Sequence, residues 1–394
     1  MIRRQHVVGE FFDEAEALRA TLDARFKDAY VNSVNWNYFY VPGLYTYLRT
    51  TPRGLIPDAL FDLFMHALRQ WSMETLGLVP MGIPLVHLMV DGCRLELHSD
   101  FHNGVWGYVY SLTRWDKRRF SGGETLLMRD GVPSYKKHHV QGENLYDLIP
   151  ARFNQLLVFD DRIVHGTPVI EGSMDPLEAR LALVGHLRAT SPRVSGELAV
   201  AAARRVILET MPHLAERIRP HREVQGMITF RIAVNAAGGV ESVVILTDNL
   251  ITASSGYEAS DSVGAVRSAI QQNLMGLRFP ACGSQSSLII PVLVPIPDLR
   301  PMLIQIPRKS SRASLQEWAL AHLADGEALG LSGIWEKENF LVQEPVAGSL
   351  RIDSDQIIAE FDPPMWVPSQ RARFQAMVTE WLTSALSGAR VAGR

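Results

Sequence analysis

Cysteine is nearly absent: Cys93 and Cys282 are the two in 394 residues. They lie far apart in the chain and neither belongs to a CxxC-type metal pattern, so a disulfide framework is excluded and a reducing compartment fits. Also lacking is any run of the roughly 18 apolar residues that a membrane span requires. The opening Met-Ile-Arg-Arg-Gln-His leads into acidic residues rather than a long apolar core, so no leader is expected and the expected location is cytoplasmic. Charge of one sign is missing too, with 39 Lys and Arg against 42 Asp and Glu. A net charge of −3 offers no electrostatic footprint for nucleic acid or an anionic membrane. What is present is 47% hydrophobic residues in a chain long enough for two or three cores.

The pattern changes along the chain. Apolar residues at Phe11, Ala15, Leu18, Leu22 and Phe26 recur at spacings of four and three and predict an amphipathic helix, with Asp13 and Glu16 as a capping box. The aromatic stretch Tyr30 to Tyr47 reads as surface loops packed on a core, with the lining of a substrate mouth as the alternative. Pro57 opens a second helix that Gly77 ends, its inner face formed by Leu60, Phe64, Ala67, Leu68 and Trp71. Short runs rich in Val, Leu and Tyr then follow at close spacing between residues 85 and 189, about eight strands, which predicts a barrel or sandwich.

Within that set, His98 and Asp100 share one side of a strand read as Arg94 to Phe101, about 6 to 7 Å apart at the backbone. Downstream, His165 ends a second strand-like run. His98, Asp100 and His165 are therefore a candidate facial triad for Fe(II). His102 has the same parity and is a rival ligand, although Asn103-Gly104 behind it reads as a turn. Glu96 shares the face as well, for substrate contact or a salt bridge. His138 and His139, beside Lys136 and Lys137, read as a solvated face.

These residues carry a resemblance. His98-Ser99-Asp100, Trp115, Phe120-Ser121-Gly122-Gly123-Glu124-Thr125-Leu126, Leu157-Val158-Phe159 before His165-Gly166, and Arg180 opening Arg-Leu-Ala-Leu-Val-Gly-His-Leu-Arg together resemble the Fe(II)- and 2-oxoglutarate-dependent dioxygenases of the prolyl 4-hydroxylase-like group, over residues 5 to 190. The resemblance implies a double-stranded β-helix (jelly-roll) oxygenase domain with N-terminal supporting helices, iron on His98, Asp100 and His165, and the cosubstrates 2-oxoglutarate and O2. Arg180 would pair with the far carboxylate of 2-oxoglutarate; the alternative is a surface ion pair with Glu178 or Asp175. A tyrosine that the group often carries before the His-x-Asp strand is replaced here by Val90 or Leu95, and Tyr108 or Tyr110 would substitute for it as a cosubstrate contact. The retained Asp100 disfavours halogenation, since related halogenases lack that carboxylate.

Ser191-Pro192 marks a boundary. A helix beyond it is expected to end or kink at Pro212, followed by an alternating strand Ile228 to Val234, a hairpin through Ala236-Ala237-Gly238-Gly239, a helix Ser262 to Leu277 and a strand Ser287 to Val294. This α+β unit, with Arg278-Phe279-Pro280, resembles the TonB C-terminal-like fold, which implies a binding or dimerisation module and allows a homodimer through the C-terminal domains. A third piece reads as a helix from Ser314 to Ala324, strands at 339–342, 349–352 and 356–361, and a closing helix Ser369 to Leu386.

The expectation is thus a multi-domain, mainly β chain with α elements: an oxygenase domain over 1–190, then two small α+β domains at 191–298 and 299–394. The function that the resemblance implies is hydroxylation of an unactivated C–H bond in a peptide, carrier-bound or small-molecule substrate. Two rivals use the same residues differently: a zinc hydrolase on the His/Asp/His set, and a non-catalytic binding or scaffold protein.

Overall fold

The structure is a computed structural model that describes residues 4–27, 36–100, 103–129, 145–190, 192–252, 257–297, 302–307 and short stretches between 332 and 383. Two compact units divide the chain, Met1–Arg188 and Ala189–Arg394.

The first unit contains β1 (Gln5–Val8), α1 (Ala15–Lys27), β2 (Asn37–Val41), β3 (Tyr45–Thr50), α2 (Asp58–Leu76), β4 (Val79–Met89), β5 (Arg94–His98), β6 (Trp106–Ser111), β7 (Thr125–Met128), β8 (Tyr146–Ile149), β9 (Gln155–Asp160), β10 (His165–Thr167) and β11 (Arg180–Arg188). Its strands make one eleven-stranded, curled antiparallel sheet in the order β1-β9-β6-β11-β4-β3-β5-β10-β7-β8, with β2 beside β3. Neighbours in space are distant in sequence, as in a jelly roll: β10 lies between β5 and β7, and β11 between β4 and β6.

Local chemistry explains the helices. Pro57 precedes α2, and Gly77 ends it at φ 69°, donating to the Met73 carbonyl at 3.1 Å. Its buried face is Phe61, Phe64, Leu68, Ser72 and Leu76, turned from the expected face so that Leu60, Ala67 and Trp71 are only partly covered. Helix α1 buries Leu18 and Leu22. Glu16 forms an ion pair with Arg114.

Arg19, 1% exposed, ties α1 to the sheet unit: its guanidinium donates to the carbonyls of Leu112 at 2.8 Å and Leu177 at 2.6 Å and to Asp23 at 2.7 Å. Arg19→Ala is expected to cost about 2 to 3 kcal/mol, because two buried carbonyls lose a charged donor. Urea unfolding of the variant would show it as a lower midpoint at an unchanged slope.

Strands β1, β2 and β3 and the first half of β4 escaped the sequence pattern. In β4, Pro80, Gly82 and Pro84 interrupt the strand signal, and the register with β11 slips there: Val184 faces Leu85, while His186 faces Met81. The stretch expected to be loops is a β2–β3 hairpin, from residue 37 onward, whose cross-strand partners include Phe39 and Tyr47. Strand β5 stops at His98, so Asp100 lies beyond the strand expected to hold it.

In the second unit, β12 (Arg193–Ser195), α3 (Val200–Ile218), β13 (Val224–Val234), β14 (Val240–Asp248), β15 (Ile251–Thr252), α4 (Tyr257–Met275) and β16 (Ser286–Val294) form an α+β layer with sheet order β12-β16-β13-β14. Ile228, Phe230, Ile232 and Val234 meet Val266, Ile270 and Leu274 in its core. Pro212 does not end α3, which runs on to Ile218. A second five-stranded sheet, β17 (Met302–Pro307), β18 (Ser332–Glu336), β19 (Asn339–Glu344), β20 (Gly348–Ile352) and β21 (Gln356–Phe361), runs in the order β17-β21-β20-β19-β18. Residues 374–380 and 382–383 are helical, with Phe374, Val378 and Leu382 buried. The helix expected at Ser314 to Ala324 lies outside the described residues. Both cysteines are free thiols, and among the described residues no helix is long and apolar enough to cross a membrane.

Candidate metal centre and anion pocket

Inside the curled sheet lies a cavity of about 390 Å³. At one wall, β5 and β10 pair antiparallel with His98 directly opposite His165, bringing the ring centroids to 4.4 Å. Gly166 permits this approach: a Cβ there would meet the Leu95 carbonyl oxygen at 2.8 Å.

The two imidazoles are held alike. His98 Nδ1 lies 2.7 Å from the Glu96 carbonyl oxygen and His165 Nδ1 lies 2.8 Å from that of Ile163. A carbonyl only accepts, so each Nδ1 carries a proton and each Nε2 is the ring atom left facing the cavity. Both Nε2 atoms then meet the same carboxylate oxygen, Asp100 Oδ2, at 3.3 Å from His165 and 3.9 Å from His98. Asp100 is fixed from behind: its N–H donates to the Asp161 carbonyl at 2.9 Å, and Asn103 Nδ2 donates to Oδ1 at 3.0 Å. Three ligand atoms of His98, Asp100 and His165 fall within 4.8 Å of one another.

Electrostatics agree with a cation between them. Burial holds the His98 imidazole below its ordinary range, so it carries no proton on Nε2 at neutral pH. Burial works to raise the Asp100 carboxyl, but hydrogen bonding and charge from His165, with that of His98, outweigh it and hold Asp100 below the usual value. Two imidazole nitrogens and one carboxylate oxygen on one face, with the cavity open on the other, suit a divalent metal that keeps free coordination positions.

A second polar group lies deeper. Arg180 opens β11 and is 3% exposed; Nε donates to the Gly123 carbonyl at 2.8 Å and NH2 to Thr125 Oγ1 at 3.3 Å. No carboxylate forms an ion pair with it among the described residues. Glu178 pairs instead with Arg119 at 3.2 Å, so the surface-pair alternative for Arg180 does not hold. Gly122 and Gly123, at φ 75° and 81°, turn the chain so that the carbonyl of the second points at this guanidinium. Burial lowers the Arg180 pKa to about 10.

Beside it, His87 on β4 is buried and its Nε2 has no hydrogen-bond partner. Burial first, then the charges of Arg180 and Arg49, push its pKa down to about 3. Arg49 sits across from His87 on β3, its guanidinium 3.9 Å above the Phe39 ring. A buried guanidinium that feels the charge of Glu124 but forms no ion pair among the described residues, next to an imidazole nitrogen without a hydrogen-bond partner among them, makes a pocket suited to an anion. The cavity therefore offers ligands for a metal at one place and cationic donors for a carboxylate at another, which fits a metal-chelating dicarboxylate such as 2-oxoglutarate.

The remaining candidates fall as follows. Tyr108 borders the cavity, its ring over Gly185, where a Cβ would come within 2.6 Å of the hydroxyl. Tyr110 points away from the cavity: its ring packs on Phe64 at 4.7 Å and its hydroxyl donates to Asn154 at 2.8 Å, so it is corrected from a cosubstrate contact to a support under α2. Its strand neighbours Gly107 and Val109 take the inward positions. Glu96 is paired with Arg94 at 3.0 Å. His102, His138 and His139 lie outside the described residues.

Tyr45 and Tyr47 on β3 belong to the aromatic stretch read as surface loops or as a substrate mouth, and neither stood out individually as a site residue. Tyr45 stands edge-on to His98 at 5.1 Å and Tyr47 lies 4.4 Å from the His87 ring, both on the cavity wall. Their alternation, Tyr45-Thr46-Tyr47-Leu48, was the available strand signal. His87 carried no signal at all, because an isolated His in an apolar strand reads as core.

No family model matches the chain, and no curated protein matches it. Among solved structures, the chain is similar to a prolyl hydroxylase from Trichoplax adhaerens in complex with a hypoxia inducible factor peptide fragment, with 14% identity and a TM-score of 0.33 over 46% of this chain and 81% of that one. It is also similar to a Pseudomonas putida prolyl-4-hydroxylase, with 15% identity and a TM-score of 0.32 over 47% of this chain and 92% of the other. A third is the non-heme α-ketoglutarate-dependent epimerase SnoN from nogalamycin biosynthesis, with 16% identity and a TM-score of 0.34 over 48% and 78% of the two chains. The resemblance of residues 195–298 to the TonB C-terminal-like group finds no support in these comparisons.

Proposed function

We propose that the first unit is an Fe(II)- and 2-oxoglutarate-dependent dioxygenase that hydroxylates an unactivated C–H bond. One observation carries the reading: two imidazoles, each with Nδ1 locked to a backbone carbonyl, bring both Nε2 atoms together with one carboxylate oxygen at the edge of a cavity.

His98, Asp100 and His165 would hold the iron. Arg180 would receive the far carboxylate of 2-oxoglutarate, with Thr125 and His87 beside it, and Tyr108 borders the same space. Fe(II), 2-oxoglutarate and O2 supply the oxidising chemistry, the keto acid leaving as succinate and CO2. The sheet's own residues then bind and orient. Tyr45 and Phe159 pack against the two imidazoles, Tyr45 5.1 Å from His98 and Phe159 4.7 Å from His165, and hold the rings in place. Exposed Met81, Ile83 and Leu85 line the way in and offer apolar contact to a peptide, carrier-bound or small-molecule substrate. The zinc-hydrolase alternative leaves the buried Arg180, which forms no ion pair among the described residues, without a task.

Anaerobic calorimetry of the full chain tests this. Expected is one 2-oxoglutarate per chain, bound only after Fe(II) is added, and O2-dependent succinate formation once air is admitted. Absence of metal-dependent 2-oxoglutarate binding would overturn the reading.

A further inference from the structure

A buried dyad stands next to Asp100 and plays no part in holding the metal or the cosubstrate as assigned above. Asp161, 0% exposed, accepts from His186 Nδ1 at 2.9 Å through Oδ2, while its Oδ1 has no hydrogen-bond partner among the described residues. Atoms of Asp100, Asp161 and His186 fall within 4.8 Å of one another, so the dyad is at the metal end of the cavity.

The chain makes room for it. A Cβ on Gly107 would lie 2.6 Å from Asp161 Oδ1, and one on Gly104 would lie 2.7 Å from His186 Cβ and 2.8 Å from Asp161 Oδ2. Two glycines on the approach to β6 and within it thus clear the volume that a buried carboxylate and an imidazole occupy. The register slip in β4 adds to this, because the extra residues between Met81 and Leu85 break the regular cross-strand pairing beside His186.

We infer that the Asp161–His186 dyad anchors a hydroxyl group of the substrate beside the carbon presented to the metal. Asp161 is the positioning residue: by accepting from Nδ1 it fixes the ring and its tautomer, leaving Nε2 as the remaining polar atom of His186 on the cavity wall. A hydroxyl satisfies Nε2 in either state, donating to its lone pair when the ring is neutral and accepting from N–H when it is charged. An ether or carbonyl oxygen serves in only one of them. Around the dyad the entrance is apolar, through Met81, Ile83 and Leu85. The substrate class this fits is a largely hydrocarbon frame bearing a hydroxyl, rather than a uniformly charged molecule.

The inference rests on the cavity being the place of oxidation, but its test needs neither iron nor 2-oxoglutarate, so the two readings fail separately. The full chain, labelled with 15N-histidine, is titrated with cyclohexanol and with methoxycyclohexane, which lacks the donor. Cyclohexanol is expected to shift the His186 Nε2 resonance and to bind about fivefold more tightly than the ether, the worth of one neutral hydrogen bond. His186→Phe should remove that preference, His186→Gln should keep part of it, and Asp161→Asn should narrow the difference between the two ring-nitrogen shifts as the tautomer is released. Equal binding of alcohol and ether, or an unchanged preference in His186→Phe, overturns the inference.

Discussion

Asp100→Ala is expected to lower Fe(II) affinity by about 100-fold or more and to bring 2-oxoglutarate turnover to background. Loss of a mere supporting residue around a metal already costs about 10- to 100-fold in affinity, and Asp100 is the anionic member of the ligand set. Its Oδ2 is the point on which His98 and His165 converge, at 3.9 and 3.3 Å. Without it, two neutral imidazoles remain, and nothing in the first coordination sphere offsets the charge of the cation. The fold should survive: Asp100 lies beyond the end of β5 and is partly exposed, so no strand pairing depends on its side chain. Equilibrium dialysis against Fe(II), with circular dichroism as the folding control, separates the two effects. A variant that binds iron and turns over 2-oxoglutarate like the wild type would sink the metal-centre assignment.

The second large effect is at Arg180, where binding and stability should move in opposite directions. Arg180→Met is expected to weaken 2-oxoglutarate about 100-fold, or about 2.7 kcal/mol, within the range for removing one partner of a buried charge pair. The same substitution should raise the melting temperature of the metal-free protein. In that state the guanidinium is buried with neutral hydrogen-bond partners, the Gly123 carbonyl and Thr125 hydroxyl, and desolvation outweighs the charge of Glu124. Methionine fills a similar volume without that cost. Arg180→Lys keeps the charge but loses the planar fork, and a loss of about tenfold is expected. Calorimetric titration and a thermal melt of the same samples decide the matter. A melting temperature that falls together with affinity would show that Arg180 is a structural residue.

How much of this was legible without coordinates differs by residue. The same-side placement of His98 and Asp100 follows from the two-residue period of extended chain, and the Pro57 to Gly77 helix from its terminal residues and apolar spacing; both are local effects. The C-terminal strand Ile228 to Val234 was equally readable from its alternation, because one face of that strand is buried. Of the two outcomes expected at Pro212, an end does not occur, since the rest of α3 holds its buried face, Ala203, Ile207, Met211, Leu214 and Ile218, around it.

Other features depend on which strands become neighbours. Tyr108 and Tyr110 have the same parity, and only the layer above β6, with Phe64 of α2 against Tyr110, decides which one borders the cavity. His87 and Tyr47 became site residues because β3 and β4 pair next to β11. Asp161 and His186, 25 residues apart, meet only through tertiary structure.

The sequence by itself determined the kinds of groups on offer: the His-x-Asp pair, a later His-Gly, an Arg at the start of a strand, and a mainly β first unit. Tertiary structure decided their use. The β5–β10 register set His98 against His165, the curl of the sheet buried Arg180 with no ion pair among the described residues, and the glycines at 104, 107 and 166 let backbones and side chains approach where a Cβ would not fit. The physical reason is range: periodicity and capping act within a few residues, while register, burial and charge compensation belong to the assembled sheet.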